Sequence, residues 1–233
     1  MIQVRKSNDR GLAEHGWLKS RHTFSFAEYY DSKFMGFGPL RVINEDRIAG
    51  GTGFGTHGHK DMEIISYVID GALKHQDSMG TDAVIKPGEV QRMSAGTGVR
   101  HSEQNDLKDK ETHFMQIWIM PEANGVKPGY GQKSFSNDFA CSDLILVASK
   151  LGRNGSITIN QDVDMYVAKT QDVGEKTINT FKHRLFWVQV IKGEVTIDDT
   201  KLTTGDGAGI SDIETLKLTW GKETEFILFD LPQ

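Results

Sequence analysis

The stretch THGHKDMEIISYVIDG, residues 56–71, sets two histidines one residue apart and a glutamate four positions after the second. It continues into IISYVI, a β-branched and aromatic run, and closes on the turn pair Asp70-Gly71. On an extended strand the side chains alternate faces, so residues i and i+2 stand on one side about 6–7 Å apart. His57 and His59 therefore project together, close enough to share one cation. Glu63 has the same parity. On an extended chain it lies about 13 Å beyond His59 and reaches the same ion only if the chain bends.

A second stretch has the same form. VRHSE, residues 99–103, places His101 and Glu103 one residue apart. Between the two stretches the chain reverses at Asp70-Gly71, Ser78-Met79-Gly80, Pro87-Gly88 and Ala95-Gly96-Thr97-Gly98, which could bring 99–103 back beside 55–59. Two neighbouring strands would then offer three imidazoles and one carboxylate: His57, His59, His101 and Glu103. Such a set suits Fe, Mn, Co, Ni, Cu or Zn. On a six-coordinate metal it leaves two positions open, as an enzyme needs. The competing reading is a satisfied polar cluster or exposed loop histidines. The remaining histidines, His15, His22, His75, His113 and His183, are read as structural, with no ligand partner at i+2. His113, at the start of an apolar strand, could stand behind a metal ligand.

The rest of the chain repeats the strand-and-turn pattern. IISYVI (64–69), VIKP (84–87), FMQIWIM (114–120), LILVA (144–148), ITI (157–159), MYVA (165–168), FWVQVI (186–191), VTI (195–197) and FILFDL (226–231) are short and rich in β-branched or aromatic residues. The 25 glycines supply the turns between them. This predicts an all-β sandwich or barrel, with short helices over 8–18 and 27–35. SYVIDGALKHQ (66–76) resembles VQVIKGEVTID (188–198), and AVIKPGEVQRM (83–93) resembles TKLTTGDGAGI (200–210), a weak internal repeat. The expected division is a metal-binding barrel over 1–121, with a C-terminal strand exchanged between barrels, a linker over 122–138, and a barrel without metal over 139–233.

Composition narrows the partners. Of 233 residues, 37% are hydrophobic and 25% charged, an ordinary globular balance, and the net charge is −5 with no Lys/Arg-rich run. The positive footprint of nucleic-acid binding is missing. One cysteine, Cys141, excludes an intrachain disulfide and fits a reducing compartment. MIQVRKSNDR has no apolar signal region, and no apolar run approaches the ~18 residues of a membrane span. A cytoplasmic protein without membrane or direct nucleic-acid partners is expected.

The glycine-framed HxHxxxE of residues 51–71 and PGEVQRMSAGTGVRHSE (87–103) look like the two cupin motifs. Together with RHTFSFAEYY (21–30), GPLRVINEDRI (38–48) and HFMQIWIMP (113–121), they resemble the pirin family over essentially the whole chain. The resemblance implies a bicupin of two antiparallel, jelly-roll β-barrels, with a metal, usually Fe(II), held in the first by residues matching His57, His59, His101 and Glu103. It implies that Glu63 matches a motif glutamate that is not normally a ligand. It implies that the second barrel lacks a metal. An ungapped alignment agrees, placing Asn179 and Phe181 opposite His57 and His59, and Leu218 and Trp220 opposite His101 and Glu103, with His183 an alternative.

Bacterial pirins of this layout are similar to quercetin 2,3-dioxygenases, which implies a flavonol substrate and O2, with Glu103 as both ligand and catalytic base. The segment 17–38, rich in aromatics, is expected to pack between strands or to line the barrel mouth. Two other readings use the same residues: a regulator that binds other proteins and senses redox state through its metal, and a cupin enzyme acting on a different small phenol.

Overall fold

A computed structural model describes residues 1–180 and 183–233 of the protein. In chain order its strands are β1 (Ile2–Arg5), β2 (Gly11–Glu14), β3 (Leu18–His22), β4 (Leu40–Ile48), β5 (Gly53–His59), β6 (Glu63–Asp70), β7 (Leu73–Asp77), β8 (Asp82–Ile85), β9 (Glu89–Ser94), β10 (Val99–Asn105), β11 (Thr112–Ile119), β12 (Gly129–Ser134), β13 (Leu144–Ser149), β14 (Ile157–Thr158), β15 (Asp164–Lys169), β16 (Gly174–Asn179), β17 (Arg184–Lys192), β18 (Glu194–Ile197), β19 (Thr200–Thr203), β20 (Gly207–Ile210), β21 (Thr215–Trp220) and β22 (Glu225–Pro232). The helical elements among the described residues are three 3₁₀ turns, Ser7–Asp9, Asp138–Cys141 and Arg153–Gly155. None is long or apolar enough to cross a membrane.

The helices expected over 8–18 and 27–35 do not form. Residues 11–22 pair as an antiparallel hairpin, Gly11 opposite His22 and Glu14 opposite Lys19. Residues 25–35 are folded by local side-chain bonds: the Asp31 N–H donates to Ser25 Oγ (2.8 Å) and the Lys33 N–H to Asp31 Oδ1 (3.0 Å). Short Ser and Asp side chains compete with helix in this way.

The chain gathers into two compact units. One holds Gly11–Ser136 with Ile157–Gln161; the other holds Met1–Arg10, Asn137–Ser156 and Asp162–Gln233. These boundaries differ from the expected ones for two reasons. The stretch 122–138 contains β12, which pairs with β9 from Gly129↔Ser94 to Ser134↔Glu89 and is therefore sheet rather than linker. Residues 1–10 belong to the later unit, because β1 pairs with β20 from Ile2↔Ile210 to Arg5↔Gly207.

Each unit is two antiparallel sheets. The first has the orders β12-β9-β6-β11-β4-β3-β2 and β5-β10-β7-β8; the second has β1-β20-β17-β22-β15-β13 and β16-β21-β18-β19. From β12 to β3 and from β1 to β13 the larger sheets correspond strand for strand, as do the two four-stranded sheets, so the fold is an all-β bicupin and the internal repeat is a duplication of one jelly roll. The turns confirm the correspondence. Gly71 has φ +89°, and a Cβ there would meet Thr112 Oγ1 at 2.5 Å; Gly193 has φ +83°, and its Cβ would meet Thr224 Oγ1, also at 2.5 Å. Only glycine serves at either place.

The two interiors differ in chemistry. The second unit is filled by an apolar cluster that includes Phe186, Val188, Val195, Ile197, Leu202, Leu216, Leu218, Trp220 and Leu228. Each such side chain contributes about 1.5–3 kcal/mol by burial. The first unit has a smaller apolar base, Leu18, Ile48, Val68, Leu73, Ile85 and Phe114, and above it a layer of buried polar residues.

Candidate metal centre

That layer is a rung of directly opposed residues across five strands: Gln91 on β9, Ser66 on β6, Gln116 on β11, Asn44 on β4 and His22 on β3. Opposed residues in a ladder share a face, and all five are buried. In the second unit the same rung reads Ala208, Val188, Leu228, Tyr166 and Leu146.

The facing sheet carries the histidines. β10 lies antiparallel to β5, with His101 opposite His57 and Val99 opposite His59. The three imidazole centroids are 4.5–4.9 Å apart. One ring nitrogen from each of His57, His59 and His101 lies within 4.8 Å of the others. A register irregularity between His101 and Glu103 sets Glu103 opposite Phe54. Ser66 Oγ donates to Glu103 Oε1 (3.0 Å) and Gln116 Nε2 to Oε2 (2.6 Å), so the polar rung holds the carboxylate in place. Glu103 and His101 also approach within 4.8 Å, in a second group with His75.

Burial and crowding make this cluster a poor home for protons. The His101 imidazole is pushed down to about 3 by burial, then by the neighbouring His57, His59 and His75. His59 is pushed down to about 4 by burial and by His57. Burial pushes the Glu103 carboxyl up, opposed by His75, Ser66, Gln116 and His57. Imidazoles that stay neutral in weak acid are ready to donate lone pairs. His57 Nδ1 donates to Gly55 O at 2.8 Å, since a carbonyl only accepts, which leaves the Nε2 lone pair turned inward. His57 Nε2 and His101 Nε2 are 3.1 Å apart. With metal–nitrogen bonds of about 2.1 Å, two ligands at right angles would stand about 3.0 Å apart. Spacing and donor chemistry both fit one divalent cation.

Glu63 stands elsewhere. It is fully buried on β6 in the opposite sheet, accepting from Ser94 Oγ (2.9 Å), Asn160 Nδ2 (3.1 Å) and Asn160 N–H (3.3 Å). It anchors the segment Ile157–Gln161 to the first unit. His113 Nε2 lies 3.0 Å from Glu45 Oε1, a partner outside the cluster. His15 and His183 are exposed, and His22 packs edge-on against Phe26 (5.2 Å).

A cavity of ≈ 60 Å³ opens beside the cluster, lined by Phe26, Phe54 and Trp118 on its aromatic side and by Asn44, Asp46, Glu103 and Gln116 on its polar side. Of the aromatic segment 17–38, Phe26 reaches this wall, whereas Phe24 and Phe34 are core and Trp17 packs on Phe54. Asp46 and Asn44 were not singled out in the sequence; their signal was a parity shared with the apolar Val42 and Ile48 in RVINEDRI, all four of which are buried. Asp46 Oδ1, Asn44 Oδ1 and Trp118 Nε1 are buried without a protein partner. Burial pushes Asp46 up to about 7, with Ser20 pulling it down and Glu103 and Glu45 adding to the rise. A carboxyl raised in the fold costs nothing below pH ~4, and its cost is complete above pH ~7. Asp46→Asn should therefore stabilise the metal-free protein by about 2–4 kcal/mol at pH 8 and by little at pH 4, read from urea unfolding at both values.

In the second unit the ladder corrects the ungapped alignment, by two residues on β21 and by one on β16. His75 pairs with Glu103, and its counterpart Ile197 pairs with Leu218. Leu218 thus stands at Glu103, Leu216 at His101, and Ile178, opposite Leu216, at His57. Asn179 is exposed, and Phe181 lies outside the described residues. These counterparts supply no ligand group, so the histidine cluster belongs to the first barrel.

The molecule is thus defined as a bicupin whose first barrel carries a histidine cluster beside a small aromatic-walled pocket. Among sequence families, the pirin family matches residues 3–119 and the quercetinase C-terminal cupin domain residues 146–231. Quercetin 2,3-dioxygenase of Escherichia coli strain K12 is 49% identical over 232 residues, covering 100% of this chain and 99% of that protein. The pirin-like protein of Caulobacter vibrioides is 40% identical, covering 99% of each. The crystal structure of bacterial pirin YhhW from E. coli in complex with nickel(II) superposes with a TM-score of 0.95 at 48% identity, covering 100% of this chain and 99% of that one. The chain belongs to the pirin family.

Proposed function

We propose that this protein is a metal-dependent dioxygenase of the quercetin 2,3-dioxygenase type, with His57, His59, His101 and Glu103 as its metal ligands. The observation that carries the reading is the 3.1 Å approach of two imidazole nitrogens in a cluster depleted of protons. Full-length similarity to a quercetin 2,3-dioxygenase supports the substrate class. Iron(II) is the metal we infer, and the donor set equally suits nickel, the metal in the YhhW complex.

When bound, the cation supplies Lewis acidity that eases loss of a phenolic proton and orients the resulting oxyanion. The chain's own groups do the rest. Glu103, raised by burial and held by Ser66 and Gln116, takes the proton of the flavonol 3-hydroxyl as general base. Phe26, Phe54 and Trp118 offer flat apolar faces to the ring and exclude water. Asn44 and Asp46 present acceptors to its hydroxyls. A cavity of ≈ 60 Å³ holds about five waters, which is less than three fused and linked rings need. Only the hydroxyl-bearing edge enters unless the Phe26 wall moves.

The test is oxygen uptake with quercetin by iron-loaded protein against metal-stripped protein. Metal-dependent uptake with loss of flavonol absorbance is expected. No uptake with iron demonstrably bound would overturn the reading in favour of a redox-sensing regulator or another phenolic substrate. Glu103→Gln is expected to lower kcat about 100-fold. Metal retained with activity unchanged would remove the base role.

A further inference from the structure

Asn44 and Asp46 sit at i and i+2 on β4, and each is only 3% exposed. Their Oδ1 atoms are buried without a protein partner, and both residues line the ≈ 60 Å³ cavity beside His57, His59 and Glu103. A buried oxygen left unpaired is costly, so such a pair at a pocket wall points to a ligand that pairs with it. The fold itself does not demand polar groups there. By ladder position their counterparts in the second barrel are Tyr166 and Ala168, both packed in its apolar cluster.

Their place along β4 decides what they reach. Asn44 stands directly opposite Gln116, which holds Glu103. Asp46 is the next residue on that face, opposite Phe114 of the apolar base. In the other direction the same face passes from Gln116 to Trp118, whose ring meets His59 at 4.9 Å and Phe26 at 5.3 Å. The pocket thus runs from an aromatic end at Phe26 and Trp118, past Glu103, to a polar end at Asn44 and Asp46.

We infer that Asn44 and Asp46 form a second hydroxyl subsite, which takes the 5-hydroxyl of the flavonol and selects substrates that carry it. The inference rests on the dioxygenase reading above, which puts the 3-hydroxyl at Glu103. In a flavonol the oxygens that follow the 3-hydroxyl along one ring edge are the 4-carbonyl and the 5-hydroxyl. On its other side stands the pendant dihydroxyphenyl ring. A cavity of ≈ 60 Å³ is too small for that ring, so it points out past Phe26 and Trp118, and the oxygen-bearing edge turns to the polar end. Neighbouring strands stand about 4.8 Å apart, so Asn44 lies one such step beyond Gln116, comparable with the span from the first oxygen of that edge to the third. A hydroxyl both donates and accepts, so it pairs with the Asp46 carboxyl whether or not that group carries a proton. A site built for a hydroxyl rejects an analogue lacking it, because its own buried oxygens are then left unpaired.

The test compares quercetin with 5-deoxyquercetin, which lacks only that hydroxyl, and with the flavonol lacking the two pendant-ring hydroxyls, all on iron-loaded protein. kcat/KM is expected to fall about 10–100-fold for 5-deoxyquercetin and to hold for the other. In Asp46→Leu and Asn44→Leu the preference is expected to collapse towards unity with nickel(II) affinity unchanged. Asp46→Asn, which keeps an acceptor, retains most of it. A merely structural defect would lower both substrates together and leave their ratio standing. Equal kcat/KM for quercetin and 5-deoxyquercetin in the wild type, or a ratio that survives both leucine variants, would overturn the subsite and leave the dioxygenase reading intact. If no flavonol supports metal-dependent oxygen uptake, that reading fails instead. Equilibrium binding of the two flavonols to nickel-loaded protein then decides the subsite: the same preference supports it, and equal or absent binding overturns it.

Discussion

In His101→Ala, quercetin-dependent oxygen uptake falls to the background of metal-stripped protein. Nickel(II) affinity drops by more than the about 10–100-fold that loss of a supporting partner costs. His101 is central because its two ring nitrogens meet His57 on one side and His75 on the other. The same variant alters stability in acid. The imidazoles of His101 and His59 are held at about 3 and about 4 in the fold, against about 6.5 when unfolded. Below pH ~6.5 the unfolded chain takes up protons that the native cluster refuses, so stability is lost progressively towards pH ~3. For the metal-free wild type this loss is on the order of 5 kcal/mol. Removing His101 removes its own share. Urea unfolding of wild type and variant at pH 7 and pH 4.5 measures the difference; equal acid sensitivity would sink the account.

Glu63→Ala is expected to cost about 3–5 kcal/mol of stability while leaving nickel(II) affinity within about threefold of wild type. Removing this carboxylate strips the acceptors from Ser94 and Asn160 and leaves the mostly buried Arg92 without its nearby negative charge. Arg92 itself donates to Thr158 O (2.9 Å) and Ser94 Oγ (2.9 Å), so the whole attachment of residues 157–161 loosens together. Denaturant unfolding and a nickel titration on the same preparation decide it. Lost nickel binding with intact stability would make Glu63 a ligand.

The contrast between Glu103 and Glu63 shows what could be read in the sequence. Spacing of two on an extended strand marks side chains that share a face, and that rule alone paired His57 with His59 and His101 with Glu103. It is local geometry, so a sequence carries it. The same rule holds for His75 and Asp77, but His75 was read as structural and the carboxylate two residues on was passed over. Asn44, Ser66, Gln91 and Gln116 lie on four strands, and only the registers of β4, β11, β6 and β9 bring them into one rung. Register between distant strands is set by packing, and no short window records it. The misplaced helix over 8–18 has a similar origin: the pairing of β2 with β3 decided the matter. The duplication was legible because turn glycines such as Gly71 and Gly193 keep their places when everything around them drifts.

The pairing of β1 with β20 also bears on how the molecule is made. Ile2 leaves the ribosome 208 residues before its partner Ile210. At about 5–20 residues per second the strand waits on the order of 10–40 seconds for its place in a sheet. Meanwhile the residues of the first barrel, complete once Gln161 has emerged, are free to collapse around their own core. The nascent chain therefore carries β1 unpaired through that interval, and Lys6, which ends up 3.0 Å from Asp206, is the kind of charge that keeps such an edge from pairing with a neighbour.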